Sequence, residues 1–475
     1  MKYYKKMSVL CALIFLVIIC VSCLPKHEVI SPKEIGSNRE PFTGDTYQYE
    51  YAIEDGKARE WEEDIIFFAK TLLQRGHPMV GAHYVDVFIE ENYTRGDMEV
   101  QAGAFYDSTL KKNVIEQIDS LLASIPILED YEIPYKMQEI LAQFHDIHTS
   151  VRIEDDFVYP FQTVPIFGDE VEFCLVGVPK EKKKFLYSKV EKINGISMDE
   201  VLEKFKKIIS YENNYSFIQK VNVALFQKDT LKYLGIGKKE KIKLTIRDKD
   251  GKRRTIAQKV VSKDEMAQMD MVRHESVSKT LLKDSHDEKE YYWYEYFNDE
   301  DTIYMRYNFC LPREDIKLRD MLKEMEKTIE ENGGVAKYIL DLRSNPGGYL
   351  DEARYFSPFI LWLQEHPELV EKVYVLIDER TASTAVIIAS LLKKNVNYAT
   401  FIGNGTAQGP NFFSGYVYES KNYNIKFSIS SFHVNVWPKY EEETFMPDIL
   451  LTPTIEDYRT GIDSVLEAVL DDSFQ

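Results

Sequence analysis

Two short stretches carry the residue types that chemistry at a carbonyl needs. Asn345-Pro346-Gly347-Gly348 ends one apolar run, and Thr381-Ala382-Ser383 follows another. A Pro-Gly-Gly turn frees backbone N–H groups, and glycine tolerates positive φ and the close approach of a ligand. Ser383 stands where a helix begins, because Ala382, Ala385 and Ala389 with Ile387, Ile388, Leu391 and Leu392 suit a buried helix. There its hydroxyl lies near the positive end of the helix dipole, which also stabilises a developing oxyanion. The competing reading is that Ser383 only caps the helix, and the local pattern leaves both open.

The elements that must hold these residues are legible nearby. Tyr338-Ile339-Leu340-Asp341-Leu342 and Val373-Tyr374-Val375-Leu376-Ile377 have the length and near-continuous apolarity of strands covered on both faces. From about residue 291 strand and helix alternate, the signal of an α/β core in a chain that is α+β overall. Tyr416 to Tyr418 and Ile425 to Ile429 read as antiparallel strands around a polar turn, and Ile462, Val465, Leu466 and Val469 as a closing helix. Helical signals dominate before residue 150. Trp61, Ile65, Phe68 and Leu72 share one face, as do Leu110, Val114, Ile118 and Leu121. Met137, Leu141 and Phe144 form a third stripe, and one further step reaches His148, which therefore points inward while His145 lies to one side. An inward histidine is more often a hydrogen-bonded core residue than a base.

Between about 160 and 262 the pattern changes to short strands, Val171 to Val178 and Ile242 to Ile246 among them. Within this stretch Val190 to Val201 reads as strand, Asn194-Gly195 turn, short strand and a helix from Met198. Residues 263–290 are polar and read as a connector.

Targeting and charge narrow the function classes. Lys2, Lys5 and Lys6 precede an apolar run from Val9 to Val21 that ends in Ser22-Cys23, the pattern of a signal peptide over residues 1–22. Residues 23–45 lack periodicity and read as a tether. The formal charge is −19, which argues against nucleic acid as a partner, since phosphate binding needs a basic surface. Cys174 and Cys310 lack metal-ligand spacing, so no zinc site is indicated, and a disulfide between them is allowed but not demanded.

Taken together, these pieces resemble the tail-specific, or C-terminal processing, serine peptidase family and its tricorn-like, histidine-based branch. The carriers are Leu340 to Gly348, Thr381-Ala382-Ser383, Gly403-Asn404-Gly405-Thr406 and Pro447-Asp448-Ile449, with Asp146-Ile147-His148-Thr149 upstream and Lys192 to Val201 between. The resemblance implies a ClpP/crotonase-like protease core over 291–475, an N-terminal helical domain over 46–158 and a PDZ-like insert over 160–262. Separately, Ser22-Cys23 at the end of the apolar run resembles the bacterial lipobox, which implies that Cys23 is lipidated. Members with a Ser-Lys dyad carry lysine 25 positions after the serine. Here that position is Gln408, which cannot take the proton of a serine hydroxyl, and its neighbours are Ala407 and Gly409. Lys393 and Lys394 lie at the far end of the helix, roughly 15 Å away at the helical rise.

The resemblance therefore assigns Ser383 as nucleophile and His148 as base, with His433 in reserve. Glu441 aligns as the third catalytic residue, although it begins an acidic run with Glu442 and Glu443. Thr149 is the alternative orienting group. Backbone N–H groups of Gly347 or Gly348 and of Thr384 are the expected oxyanion hole. The expectation is a membrane-tethered, extracytoplasmic serine endopeptidase, at the cell membrane or outer membrane, hydrolysing peptides or unfolded proteins through an acyl-enzyme without metal or organic cofactor. The alternative is a catalytically inactive peptide-binding or scaffolding lipoprotein of the same fold.

Overall fold

The computed structural model of the chain describes residues 56–74, 76–81, 83–89, 95–102, 105–237, 240–273 and 290–474. The expected signal peptide, Cys23, the tether and most of the expected connector lie outside the described residues.

The C-terminal core is a six-stranded sheet in the order Tyr292–Phe297, Thr302–Tyr307, Val335–Asp341, Val370–Ile377, Ala399–Gly403 and Ile449–Leu450. The first pair is antiparallel and the remaining pairs are parallel. Alternation along the strands sends Met305, Tyr338, Leu340, Val373, Val375 and Phe401 to one face, where they pack with the helices Leu318–Glu331, Leu350–Glu365 and Thr384–Asn395. Tyr304, Ile339, Tyr374, Leu376 and Ile402 go to the other, against Val465, Leu466 and Val469 of the helix Ser464–Leu470. Both faces are covered, which is why these strands are apolar at nearly every position. Ile462, read as part of the closing helix, precedes it and is exposed.

A second sheet joins the two ends of the chain. Asn411–Glu419 and Lys426–Asn435 form a hairpin, and Lys426–Asn435 pairs in parallel with His83–Ile89, which pairs in turn with Arg95–Ala102. The N-terminal region is thus not helical throughout. Its helices Lys57–Gln74, Ser108–Ser124 and Glu132–Ala142 carry the expected apolar faces, and those faces share one core with Tyr418, Phe427 and Ile429 of the hairpin. Asp64 accepts from Ser420 Oγ at 2.6 Å and from the N–H of Tyr423 at 2.9 Å, while Trp61 stacks on Tyr423 with ring centroids 3.7 Å apart.

The middle region has its own sheet, Arg253–Lys259, Lys241–Arg247, Lys189–Ile193, Glu172–Pro179 and Met271–Arg273, with Gln162–Ile166 beside Glu172–Pro179. Asn194 and Gly195 both have positive φ, the turn expected between Lys189–Ile193 and Ile196–Ser197, and Ser197 caps the helix Met198–Phe205. The first part of the expected connector is ordered into this unit, as the helix Lys263–Gln268 and the edge strand Met271–Arg273. Cys174 and Cys310 are both buried and are not joined in a disulfide.

Candidate active site

Three adjacent parallel strands end together, and the loops that leave their carboxyl ends build the site. The first loop is anchored by charge. Arg343 donates to Asp341 Oδ2 at 2.6 Å and to Asp463 Oδ2 at 2.8 Å, Arg306 pairs with Asp341 at 2.6 Å, and Tyr304 donates to Asp341 at 2.7 Å. Burial alone would raise the Asp341 carboxyl, but the two guanidinium groups hold it well below the usual carboxylate range. A buried charge set of this kind is retained only when its members are paired. Here it fixes the point at which the strand becomes the Asn345-Pro346-Gly347-Gly348 loop. The second loop is tied to the first. Ser344 N donates to Asp378 at 2.8 Å, Thr381 Oγ1 donates to the Leu342 carbonyl at 2.9 Å, and Ala382 N donates to the Asn345 carbonyl at 3.0 Å.

Ser383 occupies the N-cap position of Thr384–Asn395 but does not cap it. Its backbone sits at φ 53°, ψ −126°, and its side chain makes no capping hydrogen bond. A non-glycine residue held there costs on the order of 1–3 kcal/mol, strain that clusters at functional turns. A strained strand-to-helix turn is also what presents a nucleophilic serine in hydrolases. Gly347 lies against this turn. A Cβ added to it would stand 2.6 Å from Ser383 Cβ and 2.8 Å from Thr384 N, so only glycine leaves that space open. Of the two glycine N–H groups expected to donate, that of Gly347 is taken by Asn345 Oδ1 at 2.9 Å. Those of Gly348 and Thr384 have no acceptor among the described residues and are the pair that remains.

Gln408 has a definite place. Its Oε1 accepts from Ser383 N at 3.0 Å, which leaves Nε2 buried without a partner among the described residues. The lysines of the helix are engaged elsewhere, Lys393 with Asp448 and Lys394 with the Val436 carbonyl.

His148 reaches the site by a different route from the expected one. The helix stops at Ala142, and the chain turns at His145, whose φ is 49°. The imidazole is inward because a turn delivers it, not because it continues a stripe. Ile147 packs against Ala382 and Ala407, which places the segment carrying His148 on the residues flanking Ser383 and Gln408. The ring stacks on Phe412 at 5.5 Å.

Asp146 organises this turn. Its Oδ1 accepts from His148 N at 2.8 Å and lies 3.7 Å from His148 Nδ1. Its Oδ2 accepts from Thr149 Oγ1 at 2.6 Å, Ser430 Oγ at 2.5 Å and His77 Nε2 at 3.2 Å. His77 Nδ1 accepts from Met79 N, which fixes the proton on Nε2. Burial works to raise the Asp146 carboxyl, but the hydrogen bonds of His148 and His77 overcome it and keep the group ionised far below its ordinary range. Thr149 therefore bonds to Asp146, and acts on the imidazole only through it. Glu441 is exposed, and the acidic groups grouped with His148 are Asp146 and Glu212. His433 packs with the rings of Phe413 and Phe105, at 5.3 and 4.9 Å, in a three-ring cluster.

No protein-family model matches the sequence, and no curated protein does. Solved structures do match. Mature CPAF complexed with lactacystin superposes with a TM-score of 0.54 at 13% identity, over 88% of this chain and 97% of that one. The fold is similar to that of mature CPAF. A second structure of mature CPAF and one of a CPAF mutant with alanine in place of a serine both give 0.53 at 12% identity, each over 88% of this chain and 96% of theirs.

Proposed function

We propose that the chain is a serine endopeptidase in which Ser383 attacks a peptide carbonyl and His148 takes its proton. The observation that carries this reading is Ser383 itself, strained at the head of a buried helix, its hydroxyl unused as a cap, beside the two unengaged N–H groups of Gly348 and Thr384. On attack the carbonyl oxygen becomes an oxyanion to which those two N–H groups donate, each such donor contributing roughly 10²–10³-fold in rate. His148 then passes the proton to the departing amine, leaving an acyl-Ser383 ester that water hydrolyses by the same path in reverse order. Asp146 stabilises the imidazolium through its carboxylate. Substrate is peptide or unfolded protein, and the sheet edge of the PDZ-like middle region suits strand addition by an extended chain. We extend the proposal to lipidation at Cys23 and a location outside the cytoplasm. Loss of lipid-analogue incorporation in Cys23→Ala would support that part, and retention would refute it.

The test is active-site labelling of the full chain by a serine-directed phosphonate, with lactacystin as a second probe, followed by peptide cleavage. Label on Ser383, with both label and cleavage absent in Ser383→Ala, is expected. That variant should change stability by less than the ~1 kcal/mol a true cap carries. Cleavage that survives in Ser383→Ala would overturn the proposal, and a folded, unlabelled wild type would favour the scaffolding alternative.

A further inference from the structure

Glu212 belongs to the middle region, yet its carboxylate reaches the base. One Glu212 oxygen, one Asp146 oxygen and one His148 ring nitrogen all lie within 4.8 Å of one another. Glu212 Oε1 is buried and has no hydrogen-bond partner among the described residues. The segment that carries it is pinned on every side. Asn213 Nδ2 donates to the Thr406 carbonyl at 2.9 Å, the Glu443 carbonyl at 3.0 Å and Thr444 Oγ1 at 2.8 Å, all in the C-terminal core. Ser210 Oγ accepts from Gln138 of the helix Glu132–Ala142 at 3.0 Å. Lys220 Nζ bridges the carbonyls of Ile147 and Ser210 at 3.1 and 2.8 Å, and the Tyr211 ring meets that of His145 at 5.2 Å.

We propose that Glu212 is a positioning acid for His148, supplied by the middle region, so that the base is competent only while that region is seated on the core. The idea rests on His148 being the base. The Ile147 backbone hydrogen-bonds the Glu212 carboxyl, but Oε1 stays buried without a partner, and two carboxyls this close together are tolerated only while one is neutral or the neighbouring imidazole carries a proton. The charged groups facing Glu212 are Asp146 and His148 from the turn after Ala142, and Lys220 from the helix Asn214–Ala224. Burial and the Asp146 charge push the Glu212 carboxyl up to about 8, with His148 and Lys220 opposing them. In the resting state Glu212 therefore holds a proton at neutral pH. When His148 accepts the Ser383 proton, the imidazolium charge opposes the upward push on the Glu212 carboxyl, and the two groups titrate as a unit. Departure of the middle region would remove this acid and release the turn through Lys220 together.

The test uses the full chain and the variants Glu212→Gln and Glu212→Asp, with two readouts: the His148 imidazole titration by NMR, and the pH profile of phosphonate labelling. In Glu212→Gln the His148 titration and the acid limb of labelling should both move to lower pH. The labelling rate at neutral pH should fall by about tenfold or more, within the roughly 10²–10⁴-fold that general-base catalysis contributes. Glu212→Asp should restore part of both. A folded Glu212→Gln with an unmoved His148 titration would overturn the proposal and leave Ser383 and His148 in place. A moved titration in a chain whose wild type never labels would uphold the positioning and sink the peptidase reading instead.

Discussion

Replacing Asp146 by asparagine isolates what its charge contributes, because size and shape are kept. The wild-type carboxylate accepts one backbone N–H on Oδ1 and three donors on Oδ2, all in a fully buried site. An asparagine can present its single oxygen to only one of these sets. If the oxygen keeps Thr149, Ser430 and His77, the new NH₂ faces the N–H of His148, so one charge-assisted bond is lost and a buried donor is orphaned. At about 1.5–3 kcal/mol for the first and 1–3 kcal/mol for the second, the loss is roughly 2.5–6 kcal/mol. The other orientation orphans three donors and costs more. The same change removes the anion that stabilises a protonated His148. In serine proteases of another fold the equivalent change lowers kcat by about 10⁴-fold. Denaturant unfolding at neutral pH, with kcat/KM on a peptide, measures both effects. Stability within 1 kcal/mol of wild type would refute the assignment of Asp146 as the node of this turn, and kcat/KM within threefold would refute its role behind His148. The pH dependence follows with its sign. Because the folded-state carboxyl is depressed, its contribution is present above the unfolded value near 4 and is lost as pH falls below it. The asparagine variant should lack that acid-side loss.

Gly347→Ala should fold with a destabilisation of about 1–3 kcal/mol from a residue held at φ 92°, and should lose at least about 10²-fold in kcat as the added methyl fills the space beside Thr384 N; normal turnover would show that the oxyanion binds elsewhere. Arg343→Met leaves Asp341 and Asp463 short of a partner and should cost about 3–5 kcal/mol, read as a fall in the urea midpoint at unchanged slope. Glu352 is buried in the first turn of Leu350–Glu365, and burial, with the Asp351 charge adding to it, raises its carboxyl to about 7. A raised carboxyl means that stability is lost as pH climbs from the unfolded value toward 7, by about 4 kcal/mol at most. Glu352→Gln should flatten that part of the stability curve, and an unchanged slope would contradict the assignment.

Much of the core was legible because its signals are local. The strands around Leu340 and Val375 are apolar throughout since both faces are covered, and Ser383 heads a helix whose every early residue is buried. Gly347 and Gly348 read as a turn from their types alone. What escaped the sequence was assembled from afar. His148 was expected inward on a helical stripe, and it is inward, but positive φ at His145 makes the turn that brings it there. Asp146 stood in the Asp146-Ile147-His148-Thr149 segment without being weighed as the orienting group, because its other partners, His77 and Ser430, are remote in sequence. Glu441 was chosen by alignment with a late glutamate, and an acidic run is ordinarily solvated, as this one is. The strand His83–Ile89 lies inside a region dominated by helical signals, although His83-Tyr84-Val85-Asp86-Val87 has the β-branched and aromatic content of a strand.

The parallel pairing of His83–Ile89 with Lys426–Asn435 sets an order of events during synthesis. Asp146 and His148 are made first, but Ser430, which holds the Asp146 carboxylate, and the strand that carries it follow about 280 residues later. At about 5–20 residues per second, tens of seconds separate the two. On the proposed roles of Ser383 and His148, the turn that carries the base lacks one of its supports for that interval, which delays cleavage by a nascent chain of itself or its neighbours.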